Sequence, residues 1–428
     1  MTPRIIAFYL PQFHPVPEND AWWGKGFTEW TNVTKARPLF PGHDQPRLPA
    51  DLGFYDLRLP EIREAQANLA HEYGIHGFCY YHYWFTGRRI LERPFNEVLA
   101  SGKPDFPFCL CWANENWTRA WDGGEEREVL LPQHYSDEDD LAHIQSLIPA
   151  FRDPRYIRID GRPLFLVYRT ENLPDAARTA QIWRQEARLA GVGEIYLARV
   201  ESFRSGINPA DIGFDAAVEF APDWRTLDQF LFRTPLFRKA CAWGLLPQTY
   251  LTQSISDYNH LVQRMLDKPR PVWKRFRCVT PGFDNSARRP EKSAAIYVGS
   301  TPERYGQWLQ RLLVDAMRDH GENERIVFVN AWDEWAEGNY LEPARRTGKA
   351  YLESTRQALD ACLRADKPSG PTPSTREAPN QAQPSWLKQM YWSLSRKAHS
   401  YLQIWNHLRY WHGRRLAATA EAREMRQP

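Results

Sequence analysis

Eight short apolar runs punctuate the chain, at 5–10, 77–84, 108–113, 164–168, 195–200, 216–220, 278–283 and 326–329. They are continuous rather than alternating, the pattern of strands buried on both faces of a parallel sheet. The intervening segments 59–73, 137–151, 175–190 and 302–320 repeat apolar residues at three- and four-residue spacing, which predicts amphipathic helices. Strand and helix alternating eight times predicts an α/β fold, a (β/α)8 TIM barrel, over residues 1–365. Two intervals break the rhythm. The one after the fifth run (202–214) is short, and the one after the sixth (226–275) is long and predicts a helical insertion after strand six.

Beyond the barrel the pattern changes. "ADKPSGPTPSTREAPNQAQPS" is rich in Pro and Ser, so 366–385 reads as a flexible linker. In 386–428, Leu387, Tyr391, Leu394, Ala398, Tyr401, Trp405 and Leu408 form one helical stripe. This tail holds eight Lys/Arg against two Glu, a net +6 in a chain of +3. A basic amphipathic helix rich in Trp and Tyr has the character of a membrane-interface segment. Packing back on the barrel or on a partner is the alternative.

Composition narrows the partners. A net charge of +3 argues against nucleic acid. The 18 Trp, 19 Tyr and 21 Phe exceed what a core requires and suit surfaces that stack on sugar rings. Six cysteines (Cys79, Cys109, Cys111, Cys241, Cys278 and Cys362) follow no zinc or disulfide spacing and are expected reduced and buried. The N-terminus enters a strand at Arg4 without a charged-then-apolar leader, and no apolar run reaches about 18 residues. The expected location is cytoplasmic, peripheral to the inner face of the membrane if the tail binds there. The Asn-x-Thr triplets at Asn32 and Asn116 would then meet no glycosylation machinery.

In a parallel barrel, function gathers where the strands end. Those ends carry Tyr9 and His14, then His82 and Trp84, then Asn114, Glu115 and Trp117, then Tyr168. Glu201, Glu219, Asp223, Asp284 and Asn285 follow, and the last strand runs into "NAWDEWAEGNYLEP". Acids and aromatics at most ends, with neither a nucleophile elbow nor a glycine-rich phosphate loop, describe a carbohydrate cleft. Glycosidic chemistry needs one carboxyl to protonate the departing oxygen and another to drive attack at the anomeric carbon. Glu334 and Glu337 are three apart, so a helical turn would set them on one face, β-carbons about 5–6 Å apart. Carboxylates that close resist ionising together, which keeps one protonated near neutrality. Trp332 and Trp335 are expected to wall the pair. The competing reading makes these acids helix-terminus caps.

"AWDEWAEGNYLEP" resembles the Trp-Asn-Glu-Trp-x-Glu-Gly signature of glycoside hydrolase family 99 and its relatives, the WbsX-like proteins of bacterial surface-polysaccharide biosynthesis. "IIAFYLPQFHP", "GRPLFLVYR" and "VTPGFDNSARRP" resemble further landmarks in the same order, across residues 4–363. "FYLPQFHP" and "CWANENWTR" place the likeness nearest the WbsX-like branch. The resemblance implies a (β/α)8 barrel and, for the hydrolase branch, a retaining endo-α-mannosidase mechanism through a 1,2-anhydro sugar, with no metal or other cofactor. It implies that Glu334 deprotonates the sugar 2-hydroxyl, while Glu337 serves as acid on the leaving oxygen and then as base on the incoming water or hydroxyl. Asp333 stands where the hydrolases tend to carry Asn, and Ala336 where a His or other polar residue is common, so mannose does not follow as the sugar.

Tyr9, His82, Trp84, Asn114, Glu115, Trp117, Tyr168, Trp332 and Trp335 are the expected substrate-binding residues. His14 and His43 are read as hydrogen-bonding or structural. "SDEDD" at 136–140 is read as a helix start capped by Ser136 rather than a metal motif. The leading expectation is a glycosidic-bond enzyme acting on a lipopolysaccharide-type glycan or its lipid-linked precursor. A glycosyltransferase using an activated sugar is the first alternative, and a non-catalytic glycan-binding protein the second.

Overall fold

In a computed structural model, which describes residues 2–119, 128–226, 230–289 and 293–365, eight strands close into a barrel. They are β1 (Arg4–Tyr9), β2 (Gly77–Phe85), β3 (Phe108–Trp112), β4 (Arg162–Val167), β5 (Tyr196–Glu201), β6 (Ala216–Glu219), β7 (Arg275–Val279) and β8 (Ile326–Val329). Each pairs in parallel with its neighbours in sequence, and β8 returns to β1 through Ile326 opposite Arg4. Alternate side chains fill the lumen, where Phe8 meets Tyr81, Phe220 and Phe328 at ring separations of 5.5–6.0 Å. The other set lies under the helices, so both faces are apolar and the strands read as continuous hydrophobic runs. The predicted linker and tail lie outside the described residues.

The helices begin where the sequence offers caps. α1 (Pro60–Glu72) and α2 (Arg93–Ser101) start on proline in the first turn. Ser136 caps α3 (Asp137–Arg152) and Asp175 caps α4 (Ala176–Leu189), each side chain accepting a backbone N–H of the first turn. No regular helix follows β5: the short interval holds a 3-10 turn, Pro209–Ile212. The long interval holds α5 (Pro235–Ala242), a short helix Thr249–Thr252 and α6 (Tyr258–Leu266). α7 (Pro302–Asp319) and α8 (Ala350–Ala365) complete the outer layer.

Two details depart from the sequence pattern. The seventh strand begins at Arg275 rather than 278, because Arg275 and Arg277 point outward, where Arg277 donates to buried Glu219 at 2.7 Å. The insertion also contains a strand, Ser254–Asp257, parallel to Ala295–Val298 from the loop after β7. Ser-Ile-Ser-Asp has one apolar residue and a partner 41 residues away, so no local pattern announces it. Phe237, Tyr250, Ile255 and Ile296 form a second, small core around this pair.

Candidate active site

At the C-terminal mouth of the barrel lies a cavity of about 470 Å³, within the range that accommodates small organic ligands. Seven strands, or the loops that leave them, line it. β2 contributes Tyr81 and Tyr83, and the β3 loop Glu115 and Trp117. Tyr168, Phe203, Phe220 and Trp224 follow from β4, β5 and β6. Asn285, Arg288 and Arg289 come from the β7 loop, and Asn330, Glu334 and Glu337 from the β8 loop. The walls are therefore aromatic and the floor is charged.

Glu334 precedes and Glu337 ends a 3-10 turn, Trp335–Glu337, in which residues three apart eclipse. Gly338 ends the turn at φ +57°, where a β-carbon would stand 2.5 Å from the Arg47 guanidinium. Arg47 in turn donates to the Gly338 carbonyl at 2.7 Å, and the Asp284 N–H to the Glu337 carbonyl at 2.6 Å. Asp284 is held well below the usual carboxylate range: burial opposes ionisation, but His43 (2.8 Å), Arg47 and Ser286 outweigh it. His43 is thus a structural hydrogen-bonding residue, as its sequence context suggested. Burial likewise pushes His14 down to about 4, so its ring is neutral.

Arg288 joins the carboxylates. Its guanidinium lies 2.6 Å from Glu337, 3.4 Å from Glu334 and 3.1 Å from Glu29, which the β1 loop supplies on helix Glu29–Lys35. Burial alone would lower the arginine's pKa, but the three carboxylates raise it. Arg289 also draws on Glu337, but two cations among three acids cannot neutralise them all. Burial, followed by repulsion from Glu337, pushes Glu334 up to about 8, and burial also raises Glu337 against the pull of Arg288. Near neutrality the pair therefore retains a proton.

The other expected site residues divide by strand register. Glu115, Trp117 and Tyr168 line the cavity. Glu115 is ion-paired with Arg169 at 2.6 Å. Asn114 lies behind them, its amide bridging the Arg169 backbone at 2.8 Å in both directions and so clipping the β3 and β4 loops together. His82 and Trp84 face the helical layer instead. The His82 and His143 Nε2 atoms approach to 2.9 Å, both rings driven neutral first by burial, and Trp84 donates to Asp139 on α3 at 3.0 Å. Tyr9 also points outward and donates to Gln66 at 2.7 Å. Trp332 packs against Phe78, and Trp335 stacks on Tyr340 while donating to Glu342 at 2.6 Å. These two indoles brace the Glu334–Glu337 turn from behind rather than wall the cavity.

Asp333 also turns away. Its Oδ1 accepts the Leu10 N–H at 2.7 Å, and burial, with Glu342 nearby, keeps the carboxyl well above its ordinary range. Asp333 does not line the cavity, so its divergence from the hydrolase signature leaves the cavity wall unaltered. Glu342 accepts from Tyr55, Gln66 and Trp335 and is pushed to about 7, chiefly by burial. Glu201 and Glu219 lie on the outer flank of β5–β7, where Glu219 pairs with Arg277 and Lys268. Asp223 pairs there with Lys268 and Arg225. These ion pairs occupy the side that lacks a covering helix after β5. Asp139 and Asp140 of "SDEDD" accept from Trp84 and Thr179, and Ser136 caps the helix.

The model of the family described as "Glycosyltransferase WbsX" matches residues 5–355. Proteins described as "Uncharacterized protein WxcX", from two strains of Xanthomonas campestris pv. campestris, are 48% identical over 355 residues. The match covers 83% of this chain and 49% of theirs, so the chain spans about half the length of these curated relatives. Among solved structures, a "Glycoside hydrolase-like protein" gives a TM-score of 0.48 at 14% identity, over 84% of this chain and 94% of that one. The family 99 endo-alpha-mannosidase of Bacteroides thetaiotaomicron gives 0.49 at 14%, over 85% and 98%.

Proposed function

The chain belongs to the WbsX family, and we propose that it makes or breaks glycosidic bonds in a bacterial surface polysaccharide or its lipid-linked precursor, with Glu334 and Glu337 as the catalytic pair. The observation that carries this reading is the pair itself: two carboxyls on one tight turn, sharing Arg288, at the floor of an aromatic cavity. Aromatic faces suit the C–H faces of sugar rings, and a half-protonated carboxyl pair suits acid–base work on an acetal.

The sequence resemblance supplies the order of steps. Glu334 takes the proton of the sugar 2-hydroxyl as that oxygen bonds to C1, while Glu337 gives its proton to the leaving oxygen. Glu337 then takes a proton from the incoming water or sugar hydroxyl, which attacks C1. The three-membered ring opens, and Glu334 returns the proton to O2. Before substrate binds, the proton rests on Glu334, because Glu337 has the closer contact to Arg288. A sugar 2-hydroxyl donating to Glu334 stabilises that carboxylate and moves the proton to Glu337.

Transfer to a sugar hydroxyl uses the same pair as hydrolysis, and the description of the family model favours transfer. A screen of defined oligosaccharides and activated sugar donors separates the two: turnover without a donor supports hydrolysis or transglycosylation, and strict donor dependence supports the transferase. Binding without turnover, unaltered by Glu334→Gln and Glu337→Gln, would sink the catalytic reading. The pair also sets a pH dependence. Because kcat/KM reports the unliganded protein, it falls as pH rises through about 8, where Glu334 loses its proton. A profile flat to pH 10 would contradict the shared proton.

No helix among the described residues is long and apolar enough to cross a membrane. We place the chain on the cytoplasmic side, with the tail 386–428 as a peripheral membrane contact. Truncation at Lys367 is expected to lower co-sedimentation with anionic vesicles, and unchanged binding would remove the tail from this role.

A further inference from the structure

Of the eleven large hydrophobic side chains exposed among the described residues, three fall within ten positions: Leu236, Trp243 and Leu245. Single exposed apolar residues are ordinary on a soluble surface, but a cluster is not. α5 explains how they come together. It buries Phe237 and Cys241 in the small second core. Leu236 and Trp243, seven apart and therefore on one helical stripe, are left 50% and 71% exposed, with exposed Lys239 between them. Gly244 adopts a left-handed conformation, and the Leu245 N–H returns to the Ala240 carbonyl at 2.9 Å, setting Leu245 beside the helix end. Exposed Arg238 flanks the group, and residues 229–256 contain three cations and no acid.

We propose that this face of the insertion docks on an anionic membrane surface, with Trp243, Leu236 and Leu245 entering the interface and Arg238 and Lys239 meeting lipid phosphates. Indole and leucine side by side with basic residues is the chemistry of an interfacial helix. The chain's own tail is the poorer occupant, since its net +6 repels a patch that is itself basic. The patch is also mechanically tied to the cavity. The small core beneath α5 includes Ile255 and Ile296, whose strand neighbours Ser254 and Ala295 line the cavity wall. Docking thus loads the same strand pair that forms part of the cavity wall. That this serves a lipid-linked glycan rests on the proposed function, whereas the docking itself does not.

All six native cysteines are buried, so a single exposed cysteine in the full chain takes a label selectively. Leu245→Cys carrying a polarity-sensitive dye is expected to shift to the blue on phosphatidylglycerol-containing vesicles and not on phosphatidylcholine alone. Leu189→Cys, also exposed but at the C-terminal end of α4, at the opposite end of the barrel, is expected not to shift. Reversing two charges, Arg238→Glu with Lys239→Glu, lowers vesicle affinity at least about tenfold. No shift at position 245, an equal shift at 189, or unchanged affinity of the charge-reversed variant overturns the proposal. A lipid-independent shift that grows with protein concentration also overturns it, in favour of a second copy of the chain. The vesicles carry no glycan, so failure here leaves the catalytic reading standing.

Discussion

Glu337→Gln and Glu334→Gln are each expected to lower turnover by at least about a hundredfold, the scale of losing a general acid or base. The two losses should differ in character. Glu337→Gln removes the group that protonates the leaving oxygen, so substrates with good leaving groups regain part of the rate in the first step. Glu334→Gln removes the base that generates the nucleophile, and no leaving group repairs that. The pH profile adds a second readout. Burial is the main cause of the raised Glu334 pKa and Glu337 the next, so in Glu337→Gln the basic limb disappears and the residual rate instead rises with pH, through a Glu334 pKa lower than in the parent. Both variants retain Arg288 and Glu29, and an amide fits the same turn, so folding is expected to survive. Near-normal turnover in both would remove the pair from the mechanism.

Arg288→Met is expected to be as damaging to activity and also to destabilise the fold. The guanidinium is the one cation that contacts Glu29, Glu334 and Glu337 together among the described residues, and Glu29 and Glu334 are buried. Removing one partner of a buried ion pair costs about 3–5 kcal/mol, because the remaining charge is left uncompensated. Arg288→Lys keeps the charge but replaces a planar fork with a point donor that cannot reach three carboxylates at once, so it is expected to be intermediate. Urea unfolding at pH 7 measures the first effect and turnover the second. Unchanged stability in Arg288→Met would show that the carboxylates neutralise themselves by taking up protons, and the cluster would then owe little to the arginine.

The barrel was legible because its strands are buried on both faces, which writes continuous apolar runs, and because Ser136 marks a helix start with a side chain that caps. The same continuity hid the register. In Gly77–Phe85 every position is apolar, aromatic or histidine, so nothing local says that Tyr81 and Tyr83 face the cavity while His82 and Trp84 face α3. Alternation from a lumen residue such as Cys79 would have found the tyrosines, had the lumen been known. Arg288 carried no local signal of its role either. It sits in "VTPGFDNSARRP", a landmark of the resemblance, but its partners are 259, 46 and 49 positions away in the chain.

Local chemistry alone therefore determined the strand count, the insertion after strand six and the spacing that singles out Glu334 and Glu337, since each depends on neighbours within a turn or two. Tertiary structure decided which side chains share the cavity, that Asp333 serves the backbone of Leu10 rather than substrate, and that one arginine governs three carboxylates. Those outcomes depend on which face of a doubly buried strand points inward and on charges meeting across hundreds of residues. Neither is fixed by anything short of closing the barrel.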